Sequence, residues 1–371
     1  MEKRIAVLAG DGIGPEVVKQ AIKVLNAISH RYKHVFVYDF ALVGAAAIDE
    51  TGSPLPDETI EACQLADAIL FGAIGDPKYD DNPKAKVRPE QGLLQLRKTL
   101  GLYANIRPVQ LFESLIERSP LKEDRITGTD LVVYRELTGG IYFGEKGRAK
   151  DGKSAYDHCS YTTEEISRIA KMAFEAAGRR RKKLTLVDKA NVLETSRLWR
   201  ETVQKLSEHY PEIEVEYLFV DNAAMQVIQR PNQFDVILTE NMFGDIISDE
   251  TSVITGSIGL LPSASVGRDT SLYEPIHGSY PQAAGKDIAN PVATILSAAM
   301  MLESFEMFEE AKRVRTTVSK VIEKGLVTPD LNPEDFISCS KVGDIIALLI
   351  ESDVEEEADF DNVFEGSLPL I

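Results

Sequence analysis

Residues 4–28, RIAVLAGDGIGPEVVKQAIKVLNAI, decide the fold class. The compact apolar run Arg4–Ala9 predicts a buried strand, and the glycine-rich loop Gly10–Gly14 follows it. Pro15 then stands where a first helical position is expected, and an amphipathic stretch continues to about Ile28. A strand, a glycine loop and a helix in this order indicate an α/β protein.

The same alternation continues along the chain. Further strands are predicted at 35–40, 66–75, 130–135, 184–187, 214–219 and 235–238. Further helices are predicted at 57–65, 90–100, 162–177, 194–208, 221–228 and 291–305. This pattern predicts a largely parallel sheet. Residues 137–161 interrupt it with Gly, Tyr, Ser and charge and predict an arm of strands and turns, and loops and long helices are predicted after Gly256.

The composition is that of an ordinary globular protein. The 371 residues are 44% hydrophobic and fit two domains, and 59 acidic against 41 basic residues give a net charge of -18. Such a charge argues against a general nucleic-acid binder, which needs a basic face. The cysteines, at 63, 159 and 339, lie in no CxxC pattern and are best explained as buried reduced thiols.

Neither end of the chain suggests a membrane or secretory role. The N-terminal segment is too short and too soon interrupted for a signal peptide, and no stretch approaches the ~20 apolar residues of a membrane span. We therefore expect a cytoplasmic protein without a membrane partner. The acidic stretch Glu351–Glu365 is expected to be a solvated end.

The loop Gly10-Asp11-Gly12-Ile13-Gly14 allows two interpretations. A Rossmann interpretation would use Asp39, at the end of the next strand, as the ribose-binding acid. The spacing is GxGxG rather than GxGxxG, so a tight turn explains the glycines about as well as a cofactor contact does. A Walker A loop is excluded because no Gly-Lys-Ser/Thr follows.

Two aspartates follow the strand that ends in ILTE. Asp245 and Asp249 are four residues apart on a predicted helix start, which puts them on one face with Cβ atoms roughly 5–6 Å apart. Two like charges so placed need a cation between them, and hard divalent ions such as Mg²⁺ or Mn²⁺ take oxygen ligands. A solvated acidic helix face is the alternative, and spacing alone supports both equally.

Cationic side chains end several predicted strands. Arg107 and Arg135 each close an apolar run, where open α/β sheets place ligands, and arginine forks bind carboxylates bidentately. Lys189 also follows a strand and becomes a base if burial or a metal lowers its pKa. Surface ion pairs are the usual explanation of any single arginine of this kind, and for Lys189 taken alone a surface lysine is the favoured explanation. The long polar loop 274–291 is predicted to wrap a nucleotide.

Taken together, six motifs resemble one family. They are GDGIGPEV, RPEQGLLQLRKTLGLYANIRP, YRELTGGIYFGE, VDKANVLE, NMFGDIISDE and EPIHGSYPQAAGKDIANP. In this order they resemble the isocitrate/isopropylmalate family of β-decarboxylating dehydrogenases, most closely its isopropylmalate branch. The resemblance runs from Ile5 to about Leu349, nearly the whole chain.

The resemblance implies a metal-dependent oxidation and decarboxylation of a small 2-hydroxy acid. Asp245 and Asp249, with Asp221 from the other subunit, would hold Mg²⁺ or Mn²⁺. Lys189, also from the other subunit, would accept the hydroxyl proton, and Tyr142 would deliver a proton to the enolate carbon. The metal would act as a Lewis acid.

The resemblance also implies binding residues for substrate and cofactor. The substrate residues would be Glu90, Leu93, Leu94, Arg97, Arg107, Arg135, Val192 and Asp221. The residues toward NAD would be Ile13, Gly75, Glu90, Glu274, His277, Gly278, Ser279, Tyr280, Gln282 and Asn290. The leucines and the valine would form an apolar wall that suits an isopropyl group, because burying a carboxylate there is costly.

One departure concerns the choice between NAD and NADP. The family often carries Asp where Gln282 stands, and NADP-linked relatives place Lys-Tyr there. Gln282 can bond ribose hydroxyls but does not repel a 2′-phosphate. NAD remains the expected cofactor.

The implied fold is a two-domain α/β unit that is not Rossmann, with a mixed, largely parallel sheet. Residues 1–104 and 257–371 would form a cofactor-side domain, and residues 105–256 the second domain. The arm at about 137–161 would pair with its twin across a homodimer with shared active sites. The rivals are a homoisocitrate, isocitrate or tartrate dehydrogenase, and a non-enzymatic binding protein with an acidic metal site.

Overall fold

A computed structural model of the chain describes residues 1–80 and 87–352. Its strands are β1 Glu2–Gly10, β2 Val35–Phe40, β3 Ala68–Ala73, β4 Ala104–Gln110, β5 Asp130–Glu136, β6 Lys146–Arg148, β7 Ala155–Asp157, β8 Lys183–Asp188, β9 Glu214–Phe219, β10 Val236–Thr239, β11 Pro262–Val266 and β12 Ser271–Pro275. Its helices are α1 Gly14–Tyr32, α2 Gly44–Thr51, α3 Asp57–Leu65, α4 Pro77–Asp80, α5 Pro89–Thr99, α6 Glu123–Ile126, α7 Thr163–Arg179, α8 Glu194–Ser207, α9 Val220–Gln229, α10 Asn241–Ser252, α11 Val292–Ser304, α12 Phe308–Glu323 and α13 Cys339–Glu351.

The chain forms two compact units. The first contains Met1–Leu96, Gly259–Ser263 and the chain from Thr270, and the second contains Arg97–Ile258 and Ala264–Asp269. The predicted domain limits at 104/105 and 256/257 lie eight and two residues from the divisions after Leu96 and Ile258, and they stay a prediction. The acidic tail lies outside the described residues from residue 353 onward.

The first unit is built on four parallel strands in the order β2-β1-β3-β12. The strand β3, AILFGA, is buried at every position, as expected of a parallel strand that is covered on both faces. Helix α1 packs against α13 and α11. The apolar positions of α1 repeat with helical spacing, so Val17, Ala21, Val24 and Ile28 are all buried.

The second unit contains six strands in the order β11-β4-β5-β10-β8-β9, where β11 contributes residues 264–266. β4 is antiparallel to both neighbours, whereas β5, β10, β8 and β9 run parallel. The carboxyl ends of those four strands therefore share one edge of the sheet. Open α/β sheets bind ligands at such an edge.

Local sequence signals explain the helix α7, which packs on the strands of the second unit. Thr162 and Glu165 form a reciprocal capping box at the start of α7, which is worth roughly 1 kcal/mol. Its buried face includes Phe174, and the core beneath contains Trp199, whose ring meets that of Tyr161 edge-on at 5.4 Å.

The predicted α/β class with a mixed, largely parallel arrangement is confirmed. The prediction of loops at 262–275 was wrong, because β11 and β12 lie there. PSASV alternates polar and apolar residues over only four positions, with small side chains, and SLYEP does not alternate, so both local signals are weak. Pairing with partner strands holds both segments in place. The arm region contains strands and turns as predicted, since β6 and β7 form an antiparallel pair at Lys146–Arg148 and Ala155–Asp157. Among the described residues, no helix combines the length and apolarity that a bilayer crossing requires.

Candidate active site

The two aspartates of α10 lie against two arginines of the neighbouring strands. Arg135 Nη1 is 2.5 Å from Asp245 Oδ1, and Arg107 Nη1 is 2.8 Å from Asp249 Oδ1. Arg107 Nη2 is also 3.9 Å from Asp245 Oδ1. The acidic pair is therefore not a merely solvated helix face, because β4 and β5 supply the cations that its spacing requires.

Polar groups of the same unit hold the arginine of β5 in place. The Arg135 guanidinium donates to both the main-chain oxygen and Oδ1 of Asn241, at 2.9–3.2 Å. A Cβ at Gly244 would lie 2.5 Å from Arg135 Cγ, so only glycine lets α10 pass this close to the arginine.

The arginine of β4 is held in a similar way. Arg107 donates from Nε to Asn105 Oδ1 and from Nη1 to Ser248 Oγ, both at 2.7 Å. Sequence reasoning missed Asn105, Ser248 and Asn241 as orienting residues. The sequence feature that could have identified them is nearness along the chain, since each lies within four residues of a predicted site residue.

The two arginines of the strands are buried, with side chains that are 10% and 4% exposed. Burial, together with the nearby charges of Arg107 and Arg97 and against the charge of Asp245, lowers the pKa of Arg135 to about 10. Arg135 remains charged at neutral pH. Three arginines this close attract an anion with more than one carboxylate, because Coulomb interactions are stronger where water is excluded.

Tyr142 completes this cluster. Its hydroxyl donates to Asp245 Oδ2 at 3.0 Å, and the Arg135 guanidinium lies 5.8 Å from its ring centroid. Burial, followed by the charge of Asp245, raises the pKa of Tyr142. The hydroxyl therefore keeps its proton at neutral pH and is able to donate it.

A second ion pair lies where β8 and β9 end. Lys189 Nζ is 2.7 Å from Asp221 Oδ1, and the hydrogen bond from Lys189 lowers the pKa of Asp221. Within residues 1–80 and 87–352, no three His, Cys, Asp or Glu side chains form a group able to hold a metal ion. Within a single chain, Asp221 is therefore paired with Lys189, whereas Asp245 and Asp249 are each paired with an arginine.

In the first unit, the glycine loop lies against the loop after β12. Gly12 has φ +57°, and a Cβ there would meet Ser279 O at 2.0 Å. The Ile13 N–H donates to the same oxygen at 2.8 Å. A Cβ at Gly75 would lie 3.3 Å from both Glu90 Oε1 and Ser279 Oγ. Four of the predicted cofactor residues are therefore neighbours.

Two aspartates near this loop have structural partners. The Asp11 carboxylate accepts the N–H groups of Ala45, Ala46 and Gly75, each at 2.9 Å, and so ties the start of α2 to the glycine loop. Asp39, the acid of the Rossmann interpretation, pairs with Arg4 at 2.7 Å. The glycines here serve a tight turn and close packing.

The loop 274–291 contains the remaining predicted cofactor residues. Burial lowers the pKa of His277, which favours a neutral imidazole, and its ring contacts the Gly278 carbonyl at 3.0 Å. Glu274 is buried, whereas Tyr280 and Gln282 are exposed. Helix α11 begins at Val292 rather than at 291 as predicted, and Asn290 Oδ1 accepts the Val292 N–H at 3.0 Å.

The predicted apolar wall divides between the two units. Leu93 and Leu94 lie in the part of α5 that belongs to the first unit, where Leu93 is half-buried and Leu94 is exposed. Val192, in the second unit, is 61% exposed.

Comparisons with known proteins show which family the chain resembles. Residues 4–346 match the family described as isocitrate/isopropylmalate dehydrogenase. The chain is 58% identical to a 3-isopropylmalate dehydrogenase of Moorella thermoacetica over 332 residues, which are 88% of this chain and 93% of the relative. It is 54% identical to one of Bacteroides fragilis over 90% of this chain and 94% of the relative. A crystal structure of isocitrate dehydrogenase from Methylococcus capsulatus is similar with a TM-score of 0.85 and 35% identity, covering 94% of this chain and 100% of that one.

Proposed function

Because the chain belongs to the isocitrate/isopropylmalate dehydrogenase family, we propose that it oxidatively decarboxylates 3-isopropylmalate to 4-methyl-2-oxopentanoate and CO₂ with reduction of NAD⁺. This reaction is a step of leucine biosynthesis, and we propose the cytoplasm as its location. The observation that carries the proposal is the cluster in which Arg107, Arg135 and Tyr142 surround the aspartates of α10.

The arginines bind the substrate. Arg97, Arg107 and Arg135 together offer cationic forks to the two carboxylates of a substituted malate. Hydrogen bonds from Arg107 to Asn105 and from Arg135 to Asn241 fix both guanidinium planes before the substrate arrives. Such preorganisation reduces the entropy lost on binding.

The aspartates are suitable ligands for a divalent cation. Asp245 and Asp249 offer hard carboxylate oxygens, as Mg²⁺ and Mn²⁺ prefer, and their present arginine partners keep both side chains on one face. Asp221 of the other subunit is the third proposed ligand. When bound, the cation supplies Lewis-acid polarisation of the substrate's oxygens.

Lys189 and Tyr142 carry out the two proton transfers of the reaction. Lys189 takes the proton of the substrate's C2 hydroxyl as the C2 hydride leaves for NAD⁺, which gives a ketone. The C3 carboxylate then leaves as CO₂, and its bonding electrons form an enolate. Tyr142, whose raised pKa keeps its hydroxyl protonated, donates to the C3 carbon.

The residues near the glycine loop bind NAD. The proposed contacts are Ile13, Gly75, Glu90, Glu274, His277, Gly278, Ser279, Tyr280, Gln282 and Asn290. Mutual contacts among Ile13, Gly75, Glu90 and Ser279 support a common binding region. Gln282 is uncharged and exposed, so it can bond ribose hydroxyls.

Exposed apolar residues support a homodimer. Met225 and Ile228 of α9 are 53% and 43% exposed, and Ile246 and Val253 at α10 and just after it are 56% and 52% exposed. These two helices contact each other, and they carry Asp221 and Asp245. A second copy that covers this surface would bring Lys189 and Asp221 of one subunit to the aspartate pair of the other.

Turnover of 3-substituted malates tests the substrate assignment. We expect 3-isopropylmalate to exceed malate in kcat/KM by about 10- to 100-fold, because burying an isopropyl group is worth roughly 1.5–3 kcal/mol. Isocitrate should be a poorer substrate still, since its third carboxylate would face leucines. The measurement is NADH formation with and without a chelator.

A pair of leucine variants tests whether Leu94 contributes to the preference for 3-isopropylmalate. Leu94→Ser should reduce kcat/KM for 3-isopropylmalate more than for malate, whereas Leu65→Ser, an exposed leucine of α3, should change neither. If isocitrate, homoisocitrate or tartrate is the best substrate, the assignment is wrong. The absence of metal-dependent turnover of any hydroxy acid would instead favour a binding protein.

A further inference from the structure

Arg200 of α8 forms a two-pronged ion pair at the carboxyl end of β8. Its Nε and Nη2 donate to Oδ2 and Oδ1 of Asp188 at 2.9 and 2.8 Å. The Asp188 side chain is only 2% exposed and that of Arg200 is 27% exposed. A bidentate pair with little access to water holds its geometry tightly.

The same guanidinium also contacts the neighbouring strand. Its central carbon lies 5.2 Å from the Tyr217 ring centroid and 5.3 Å from that of Phe219, both in β9. In the parallel register, Asp188 stands opposite Phe219. One side chain therefore joins the ends of β8 and β9, through an ion pair to one strand and cation–π contacts to the other.

Lys189 and Asp221 follow directly from these strand ends. The Lys189 N–H donates to Ser196 Oγ of α8 at 3.0 Å, and Asp188 Oδ1 accepts the Ala190 N–H at 3.0 Å. Lys189 Nζ lies 5.9 Å from the Phe219 ring and 2.7 Å from Asp221. The Asp188 carboxylate, which Arg200 binds, thus holds the backbone at residues 188 and 190, on either side of the lysine.

Asp188 needs this cation because another carboxyl group is buried nearby. Burial, and secondly the charge of Asp188, raises the pKa of Glu240 to about 7. Without Arg200, Asp188 would be a buried carboxylate beside Glu240 and would lose its strongest partner. Such a carboxylate is expected to shift toward water and carry the adjoining backbone with it.

We propose that Arg200 is a positioning residue for the reaction: by clamping Asp188 and Phe219, it sets the relative placement of Lys189 and Asp221 that one subunit supplies to the other. The inference rests on the proposed function, since it concerns the lysine and aspartate of that site. Arg200 itself touches neither substrate nor cofactor.

The chain offers a closely matched control. Arg180 pairs with Asp235 at 2.7 Å, and the exposed fractions of the two side chains are 27% and 1%, nearly those of Arg200 and Asp188. This pair lies just before β10 begins, whereas Asp188 ends β8. Arg180 Nη2 also donates to Asp130 Oδ1 at 2.7 Å, so Arg180→Ala removes two ion pairs and Arg200→Ala removes one. The two variants act at different positions along the strands, and Arg180→Ala is the stricter control for a general loss of stability.

We expect Arg200→Ala to lower kcat by about 100-fold, as misplacement of a reacting group by roughly 1 Å does, with KM for NAD unchanged. Arg180→Ala should lose at least as much thermal stability and keep its kcat. Guanidinium at a non-denaturing concentration should restore part of the activity of Arg200→Ala. Arg200→Lys, which keeps the charge but not the fork, should fold and still show a reduced kcat.

Amide hydrogen exchange provides a readout that is independent of turnover. In Arg200→Ala, exchange should accelerate at residues 188–190 and 219–221, and in Arg180→Ala it should not. The proposal is overturned if kcat falls equally in both alanine variants, if Arg200→Lys keeps full kcat, or if exchange near Lys189 is unchanged. If the unsubstituted protein does not oxidise 3-isopropylmalate, the proposed function fails, and the exchange data alone decide whether Arg200 holds this segment.

Discussion

Replacing Lys189 with alanine is expected to lower kcat by about 1,000-fold while leaving NAD binding nearly unchanged. General acid–base groups contribute roughly 100- to 10,000-fold, and Lys189 is the proposed acceptor of the hydroxyl proton. The contact with Asp221 keeps Lys189 Nζ at the strand ends, 2.7 Å from the carboxylate, and the neutral amine is the form that accepts the proton. The measurement is kcat at saturating substrate, with the NAD dissociation constant determined separately.

The control for this substitution is Lys205→Ala. Lys205 is exposed on α8, in the same unit, and its removal should leave kcat unchanged. If Lys189→Ala retains turnover near that of the control, the role assigned to Lys189 as proton acceptor is wrong.

Asp245→Asn is expected to raise the Mn²⁺ concentration needed for half-maximal activity by at least about 100-fold, because changes even outside the ligand shell cost 10- to 100-fold. Asp245 is the carboxylate that both Arg135 and Tyr142 contact, at 2.5 and 3.0 Å. An amide keeps the shape and loses the charge. Direct Mn²⁺ binding to the protein, followed by electron paramagnetic resonance, measures the change without relying on turnover.

Asp124→Asn is the corresponding control. This aspartate of α6 has a side chain that is 70% exposed, and its nearest ion-pair distance is 3.8 Å. We expect normal metal affinity in this variant. A normal Mn²⁺ titration of Asp245→Asn would remove Asp245 from the set of ligands.

The sequence predicted most elements because their apolar periodicity agrees with their final burial. The strand at 35–40 was predicted with the bounds that the structure has. α8 differs from its prediction by one residue at its end, and α9 by one residue at each end. β11 and β12 were missed because β11 alternates over only four small or short residues and β12 does not alternate at all. Pairing with β4 and β3 defines them, and a single sequence does not reveal such partners.

The residues of the candidate site were predicted from motifs. The motifs did not predict the hydrogen bonds and ion pairs that hold those residues in position. Nothing in the spacing indicates that Asn241 orients Arg135, or that Asp11 ties the glycine loop to α2. Arg200 was missed for the same reason, since it lies 12 residues from Asp188 in sequence and reaches it only because α8 packs back on β8. Such contacts depend on tertiary structure.

A heterodimer of Lys189→Ala and Asp245→Asn subunits tests the central claim, that two chains build each active site. Co-expression with two different affinity tags allows the mixed dimer to be purified away from both parents. If Lys189 of one subunit serves the aspartates of the other, one of the two sites is intact, and about half of the unsubstituted activity should return. If the mixed dimer is as inactive as both parent variants, each site lies within a single chain and the account of a shared site is contradicted.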